Sequence, residues 1–286
     1  MNIKFQQGWK RVLLFLLPFL VTLVFFQLIG SLLSNSLAPP IAINNIKEFI
    51  ISLTTLAGIV LLLWLFMKFI DKEAFISLGL FFHRKKKDLF LGILLGFIMV
   101  GVGFGLLLLL EEIAIAEINF DAEELLFSAL LFTCVAFFEE LVFRGYVLRN
   151  LMFSYHRYLA LFLSAVLFAV MHGMNPNLNY ISLLNLFLAG ILLGISYTHT
   201  RNLWFPIGLH FGLNFFQTHF GFNVSGRDQY SVFEFTILEK NFLNGGEFGF
   251  EGSLFLVYIQ ILLIVGIEFY FSAREEKFLR KLSEKL

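Results

Sequence analysis

Eight long apolar stretches limit what this sequence can fold into. A helix needs about 20 mostly apolar residues to cross a bilayer, and each stretch comes near that length. The fifth and sixth stretches are short, so we expect them to lie inside a bundle without reaching both interfaces. The stretches are Val12–Leu33, Ile46–Ile70, Leu89–Leu110, Leu125–Leu148, Tyr158–Met174, Tyr180–Thr198, Leu203–Phe222 and Leu254–Phe271.

The composition supports the same fold class. The 286 residues are 58% hydrophobic and 15% charged, whereas soluble domains are about 45–50% apolar and about 25% charged. The sequence predicts an all-α, polytopic membrane helix bundle with about eight transmembrane helices, forming a single integral membrane domain over residues 1–286. The formal net charge is zero, which gives no reason to expect a nucleic-acid partner.

The first apolar stretch is longer than the 7–15 residues of a signal-peptide core. Pro39 would follow a cleavage site after Ala38 and disfavour cleavage there. We therefore expect a retained transmembrane helix over Val12–Leu33.

Lysine and arginine are concentrated in alternate loops, which sets the expected orientation in the membrane. The intervening loops, including the polar stretch 223–252, are poor in these residues. This pattern predicts that both termini are cytoplasmic, in a multi-pass protein of the cell membrane. The basic positions are Lys4, Lys10, Arg11, Lys72, Arg84, Lys85, Lys86, Lys87, Arg149, Arg157, Arg201, Arg274, Lys277, Arg280, Lys281 and Lys285.

Three charged residues, Glu139, Glu140 and Arg144, interrupt the fourth apolar stretch. Each costs roughly 2.5–3.5 kcal/mol at mid-bilayer on insertion scales, so we expect partners and a use for them. Glu140 and Arg144 are four residues apart and share a helix face, where they can neutralise each other as structural support. Glu139 is rotated by about 100° from Glu140 and lacks this local partner.

Candidate partners for Glu139 lie in later helices. At 1.5 Å per residue, Glu139 lies roughly 15–20 Å from the cytoplasmic helix end, and His172 lies roughly 20–24 Å up its own helix. His210 lies roughly 10 Å up and Asn214 roughly 16 Å up the seventh helix. These depths overlap well enough for three helices to bring the four side chains together.

These residue types suit peptide hydrolysis. A buried carboxylate beside a histidine can act as a general base toward water. A histidine and an asparagine amide can donate hydrogen bonds to a developing oxyanion. We therefore predict Glu139, His172, His210 and Asn214 as catalytic residues, with no serine, cysteine or threonine nucleophile. Cys134, the single cysteine, is expected to be a packing residue.

The same side chains are candidates for metal binding. Carboxylate and imidazole are common zinc ligands, so Glu139, His172 and His210 could form a zinc site. The sequence has no His-Glu-x-x-His motif in this region. The residues therefore leave two readings open for the cofactor, zinc or none.

At these positions the sequence resembles the CPBP family of intramembrane proteases, which includes CAAX prenyl endopeptidases and bacteriocin-processing or immunity proteins. The family motifs appear in order as Glu139-Glu140-Leu-Val-Phe-Arg144, Phe168-Ala-Val-Met-His172 and His210-Phe-Gly-Leu-Asn214. The resemblance covers about residues 125–222, which we take as the catalytic core.

This resemblance implies an eight-helix bundle with a cavity open to the cytoplasm. It implies that Glu139 and His172 activate water, while His210 and Asn214 stabilise the oxyanion. It also implies removal of the C-terminal tripeptide from prenylated Cys-a-a-X proteins, by a glutamate-dependent or a metal-dependent endopeptidase. The expected partners are membrane lipid and a peptide or prenylated protein substrate, which need not be prenylated in this case.

Two other functions are compatible with the same residues. A proton- or cation-coupled transporter can use intramembrane carboxylates and histidines as a relay. No inverted repeat is evident, which disfavours this reading. A non-enzymatic immunity or scaffold protein would use the bundle only to bind a partner in the membrane.

Overall fold

The computed structural model describes residues 7–37 and 44–284, and these form an antiparallel helix bundle. The sequence-based interpretations of Lys4, Ala38, Pro39 and Lys285 lie outside the described residues. The eight main helices are α1 (Gly8–Leu37), α2 (Asn44–Leu65), α3 (Lys86–Leu109), α4 (Ala122–Glu140), α5 (Arg157–Met171), α6 (Tyr180–Thr200), α7 (Trp204–His219) and α8 (Leu254–Ser283).

Helix lengths confirm the predicted fold class, with one correction. Within the described ranges, six helices are long and apolar enough to cross a membrane, so the chain is an integral, multi-pass membrane protein. The other two are α5, with 15 residues, and α7, with 16 residues. The sixth apolar stretch was expected to be short, but α6 has 21 residues and can span the bilayer. The second short helix, in addition to α5, is α7, because its regular structure begins only at Trp204 and ends at His219.

Two of the long helices change their winding near one end. The helix α2 continues as a π-helical segment over Phe66–Asp71, and α4 continues as one over Leu141–Leu148. A last helical turn, Arg149–Leu151, completes the α4 span. Stretches of π-helix are rare in proteins, and many of those that are found lie at functional sites. The second of these begins directly after Glu139 and Glu140.

Ion pairs join the helix ends and loops that were predicted to lie on the basic side. Arg11 Nη1 lies 2.7 Å from Asp71 Oδ1, which joins α1 to the end of the α2 span. Arg274 Nη1 lies 2.6 Å from Asp88 Oδ1, which joins α8 to the start of α3. Arg149 pairs with Glu73 in the same region. We call this part of the bundle the basic end.

A small sheet closes the opposite end of the bundle. Strand β1 (Ile113–Ile118) precedes α4 and pairs antiparallel with β2 (Phe233–Ile237), which lies in the stretch 223–252. These strands were not predicted from the sequence. Their pairing places the acidic loop before α4 and the stretch 223–252 at the same end, as the alternation of basic loops required. We call this the loop end.

Glycines allow close backbone contact between α3 and α7. A Cβ atom on Gly92 would lie 2.4 Å from the Phe205 carbonyl oxygen, and one on Gly96 would lie 2.6 Å from the Gly212 backbone. Small residues at such spacing let two helix backbones approach closely. The α3–α7 contact therefore fixes the helix that carries His210 and Asn214. Gly101, further along α3, has open space around its Cβ position.

Candidate active site

Glu139 lies in the last turn of α4, inside the bundle, and its side chain is 13% exposed. Its Oε2 atom is 3.8 Å from His172 Nε2 and 3.8 Å from His210 Nε2. Both distances exceed those of direct hydrogen bonds, and this oxygen is buried without a hydrogen-bond partner among the described residues. One carboxylate oxygen thus faces two imidazole nitrogens at equal distances, with room for a small bridging molecule.

His172 follows the last residue of α5 and caps the end of that helix. Its Nδ1 atom lies 2.8 Å from the carbonyl oxygen of Phe168, one turn earlier. Because a carbonyl can only accept, Nδ1 carries the proton in this contact, and in the neutral ring Nε2 is the unprotonated nitrogen. Because α5 is short, it ends at Met171, and the imidazole of His172 faces Glu139.

His210 lies within α7 and is buried. Its Nδ1 atom is 2.8 Å from Glu140 Oε1, while its Nε2 atom faces Glu139. Glu140 thus binds one nitrogen of the imidazole ring, while Glu139 lies 3.8 Å from the other. The contact with Glu140 fixes the orientation of the ring, because Nδ1 is the atom that donates to the carboxylate.

Glu140 and Arg144 form the predicted pair within one helix span. Arg144 Nη1 lies 2.7 Å from Glu140 Oε1, and both side chains are at most 1% exposed. Arg144 also donates to the Gly190 carbonyl oxygen at 3.0 Å and lies over the ring of Phe168 at 4.6 Å. The pair therefore connects α4 with α5 and α6. The contact between Glu140 and His210 was not predicted from the sequence.

Asn214 is one turn beyond His210 on α7 and lines the same cavity as Glu139, His172 and His210. Within the described part of the chain its amide makes no hydrogen bond, so its donor is free to meet a bound group. The cavity has a volume of about 270 Å³. The structure therefore gathers all four predicted catalytic residues around one space.

The cavity extends from Glu139 toward the loop end. Its lining comes from the halves of α2, α6, α7 and α8 nearest that end and from the stretch 223–252, where it includes Ser225, Arg227 and Glu251. No described residue of the loops at the basic end lines it. The resemblance implied a cavity open to the cytoplasm. With the basic end taken as cytoplasmic, the observed cavity reaches the other side.

Glu251 is a carboxylate of this lining that the sequence analysis missed. It lies in a short turn before α8, and its Oε2 atom accepts a hydrogen bond of 2.6 Å from the Ser225 backbone N–H. Gln217, on α7, lies 3.5 Å from the same oxygen. Burial raises the pKa of Glu251 above its ordinary value of 4.5, although the Ser225 contact and the nearby His172 oppose the shift. No helical or strand period marks this residue, so the sequence carried no signal for it.

The candidate metal ligands do not form a ready binding site. Among the described residues, no three His, Cys, Asp or Glu side chains are arranged to hold a metal ion. Glu139 Oε2 lies 3.8 Å from an imidazole nitrogen of His172 and of His210, a separation that small side-chain movements would fit to a bridging water or to a bound ion. We therefore derive no chemical step through a metal.

Comparison with known proteins identifies one related family. Residues 121–216 match the family model described as "Type II CAAX prenyl endopeptidase Rce1-like". The match spans about a third of the chain and contains the three motifs around Glu139, His172 and His210. Comparison with curated proteins and with solved structures gave no match.

The matched family is a family of proteases, which supports peptidase activity in general. The match also confirms the resemblance drawn from the three motifs. Residues 121–216 are therefore similar to the Rce1-like type II CAAX prenyl endopeptidases, which is consistent with a CPBP family intramembrane protease.

Proposed function

We propose that this protein is an intramembrane endopeptidase in which Glu139 and His172 activate a water molecule for attack on a peptide bond. The observation that carries the proposal is the position of Glu139 Oε2, which lies 3.8 Å from the Nε2 atoms of His172 and His210. A water molecule held between these atoms can form a hydrogen bond to each. Glu139 then acts as the general base.

The proton moves follow from the hydrogen bonds. His172 Nδ1 donates to the Phe168 carbonyl, which leaves Nε2 able to accept from the water. Glu139 takes a proton as the water oxygen bonds to the peptide carbonyl carbon. When the C–N bond breaks, the same carboxyl returns the proton to the leaving amine. The products are a carboxylic acid and an amine, and the enzyme is restored.

Asn214 and His210, both on α7, stabilise the developing negative charge. Asn214 offers an amide N–H that has no partner among the described residues. His210 in its imidazolium form donates from Nε2, because its Nδ1–H is already directed to Glu140. Removing one oxyanion donor typically costs about 10²–10³ in kcat. Glu140 and Arg144 act as positioning residues for His210.

The family description suggests the substrate class. We propose that residues 125–222 form the catalytic core of a single cell-membrane domain that acts on a membrane-embedded peptide. A prenylated Cys-a-a-X protein cut near its C-terminus is the first candidate substrate. The apolar walls of the cavity, which include Phe19, Leu131 and Phe132, favour an apolar peptide or lipid chain. A non-prenylated peptide is the second candidate, because the cavity extends toward the loop end.

The direct test uses purified protein in detergent with two substrates, a farnesylated Cys-a-a-X peptide and a library of transmembrane peptides. Wild type is compared with Glu139→Gln, which keeps the shape of the side chain. Cleavage by wild type alone supports both the activity and the base. Equal cleavage by both proteins refutes the role of Glu139. Ion flux across sealed vesicles without cleavage of any peptide would favour the transporter, and binding without cleavage would favour the scaffold protein.

A further inference from the structure

An exposed arginine, Arg227, lines the cavity at the loop end. A tight turn fixes its position, since Val224 and Arg227 exchange backbone hydrogen bonds of 3.0 Å in both directions. The two central residues of this turn, Ser225 and Gly226, have φ of 53° and 78°, as a type I′ turn requires. Gly226 also donates to the Phe248 carbonyl at 3.0 Å, which anchors the turn to the rest of the loop.

The guanidinium of Arg227 has no ion pair among the described residues, although three carboxylates, those of Glu48, Glu139 and Glu251, line the same cavity. Glu48 lies on α2 without an ion pair in the described ranges, and Glu251 is held by the Ser225 backbone. An arginine presents five N–H donors in a planar arrangement that matches a carboxylate. Arg227 is the one lysine or arginine among the described residues that line this cavity. Its unpaired guanidinium at the mouth is therefore suited to bind an anionic group of a peptide that enters.

The two ends of the bundle differ in access to the site. At the basic end, Arg144 and Tyr146 fill the interior below Glu139, and both are at most 1% exposed. At the loop end, the cavity lining includes the exposed Arg227. A peptide can therefore reach Glu139 from the loop end, whereas packed side chains lie between Glu139 and the basic end.

Resting on the proposed function, we propose that the peptide substrate enters from the loop end and that Arg227 binds one of its carboxylates. The Lys and Arg distribution places this end on the extracytoplasmic side. The substrate class is therefore an apolar peptide that presents an acidic group on that side of the membrane. The group is either a free C-terminal carboxylate or an Asp or Glu side chain.

Labelling of a cysteine tests the side of entry without any need for cleavage. Arg227→Cys is placed in sealed vesicles of known orientation and exposed to a membrane-impermeant thiol reagent. Arg280→Cys, at the far end of α8, reports the basic end. Cys134 is buried, so the wild-type protein serves as the unlabelled control. We expect Arg227→Cys to react from the extracytoplasmic side and Arg280→Cys from the cytoplasmic side. Reaction of Arg227→Cys from the cytoplasmic side would overturn the proposed route.

Peptide binding tests the role of the charge. The probe is a fluorescent apolar peptide of about 20 residues, made with a free carboxylate, as its C-terminal amide, and as an amide with one internal Glu. Binding to the Glu139→Gln protein is measured by anisotropy, so that cleavage does not interfere. Arg227→Ala should weaken binding of an acidic peptide by about tenfold, as expected for a lost charged hydrogen bond. It should leave the neutral amide unaffected, and Arg227→Lys should restore part of the loss.

The three peptides distinguish the possible outcomes. A loss confined to the free-acid peptide identifies the terminal carboxylate, and a loss confined to the Glu peptide identifies a side chain. An equal effect on all three peptides, or none on any, would contradict carboxylate binding. If wild type cleaves no peptide at all, the proposed function fails, while the labelling and binding results still decide the route and the role of Arg227.

Discussion

Glu140 Oε1 lies 2.8 Å from His210 Nδ1 and 2.7 Å from Arg144 Nη1, so a single carboxylate oxygen connects the imidazole of one helix to the arginine of its own helix. The neighbouring Glu139 lies 3.8 Å from the other nitrogen of the same imidazole. Two adjacent glutamates therefore have different tasks, which mutations can separate.

Replacement of each glutamate by glutamine should give opposite results. Glu139→Gln should lower kcat by about 10²–10⁴, the usual contribution of a general base, with little change in thermal stability. Glu140→Gln should lower stability by about 3–5 kcal/mol, because it leaves Arg144 buried without a compensating charge. Cleavage rates and thermal unfolding in detergent would be measured for both. If Glu140→Gln were as stable as wild type, the ion pair would not support the bundle.

The two sides of the His210 imidazole, one facing Glu140 and the other facing Glu139, can also be separated by substitution. Asparagine carries an amide nitrogen near the position of Nδ1 and nothing near Nε2. His210→Asn should therefore keep a donor for Glu140 and retain the fold, but lose the group that faces Glu139. We expect near-normal unfolding temperature with cleavage reduced by about 10²–10³. His210→Ala serves as the comparison, since it removes both contacts. Substantial cleavage by His210→Asn would remove His210 from the oxyanion site.

The packing of α3 against α7 should be sensitive to side-chain size at Gly96 but not at Gly101. A Cβ atom on Gly96 would lie 2.6 Å from the α7 backbone, whereas Gly101 has open space. Gly96→Leu should cost at least about 1–3 kcal/mol through overpacking and should also reduce cleavage, because α7 carries His210. Gly101→Leu is the matched control. Equal stability of the two variants would show that the helices can separate without consequence.

Metal dependence is tested by removing metal. The proposed mechanism uses Glu139 and His172 on a water molecule without a metal, so we expect cleavage to persist after prolonged treatment with a chelator. The measurement is the cleavage rate before and after dialysis against the chelator, together with the metal content of the protein. Loss of activity that zinc restores would establish the metal-dependent mechanism.

Glu251 should make stability depend on pH. Its pKa is raised by burial, so folding is favoured when the carboxyl is protonated. This contribution is fully present below the ordinary pKa of 4.5 and is lost as pH rises through the raised pKa of the folded state. Glu251→Gln should flatten the unfolding temperature measured across this range. The exposed Asp228 gives a control, Asp228→Asn. An unchanged pH profile in Glu251→Gln would contradict the assignment.

Helix positions and the main residues of the candidate site followed from the sequence because both depend on local patterns. Apolar length predicts a membrane helix, and four-residue spacing predicted the Glu140–Arg144 pair. The contact between Glu140 and His210 did not follow, since those residues are 70 positions apart and Arg144 already accounted for the charge. Only the packing of α7 against α3 and α4 brings that ring to Glu140.

Other features were missed because they depend on tertiary context. The strand Ile113–Ile118 is short and gains its partner from residues 233–237, far along the chain. The lengths of α6 and α7 were reversed in expectation, because apolar runs do not show where regular helix begins. Arg227 and Glu251 come from a loop without any period, so their place in the cavity lining was visible only in the structure.

The two glutamates also find their partners at different stages of synthesis. Glu140 and Arg144 belong to one continuous span, so they can neutralise each other as soon as that helix enters the bilayer, before any neighbour arrives. Glu139 meets His172 and His210 only when α5 and α7 have docked beside it. A partly assembled chain therefore holds a neutral pair before it holds the candidate site, because the arrangement of Glu139 with two imidazoles requires both later helices.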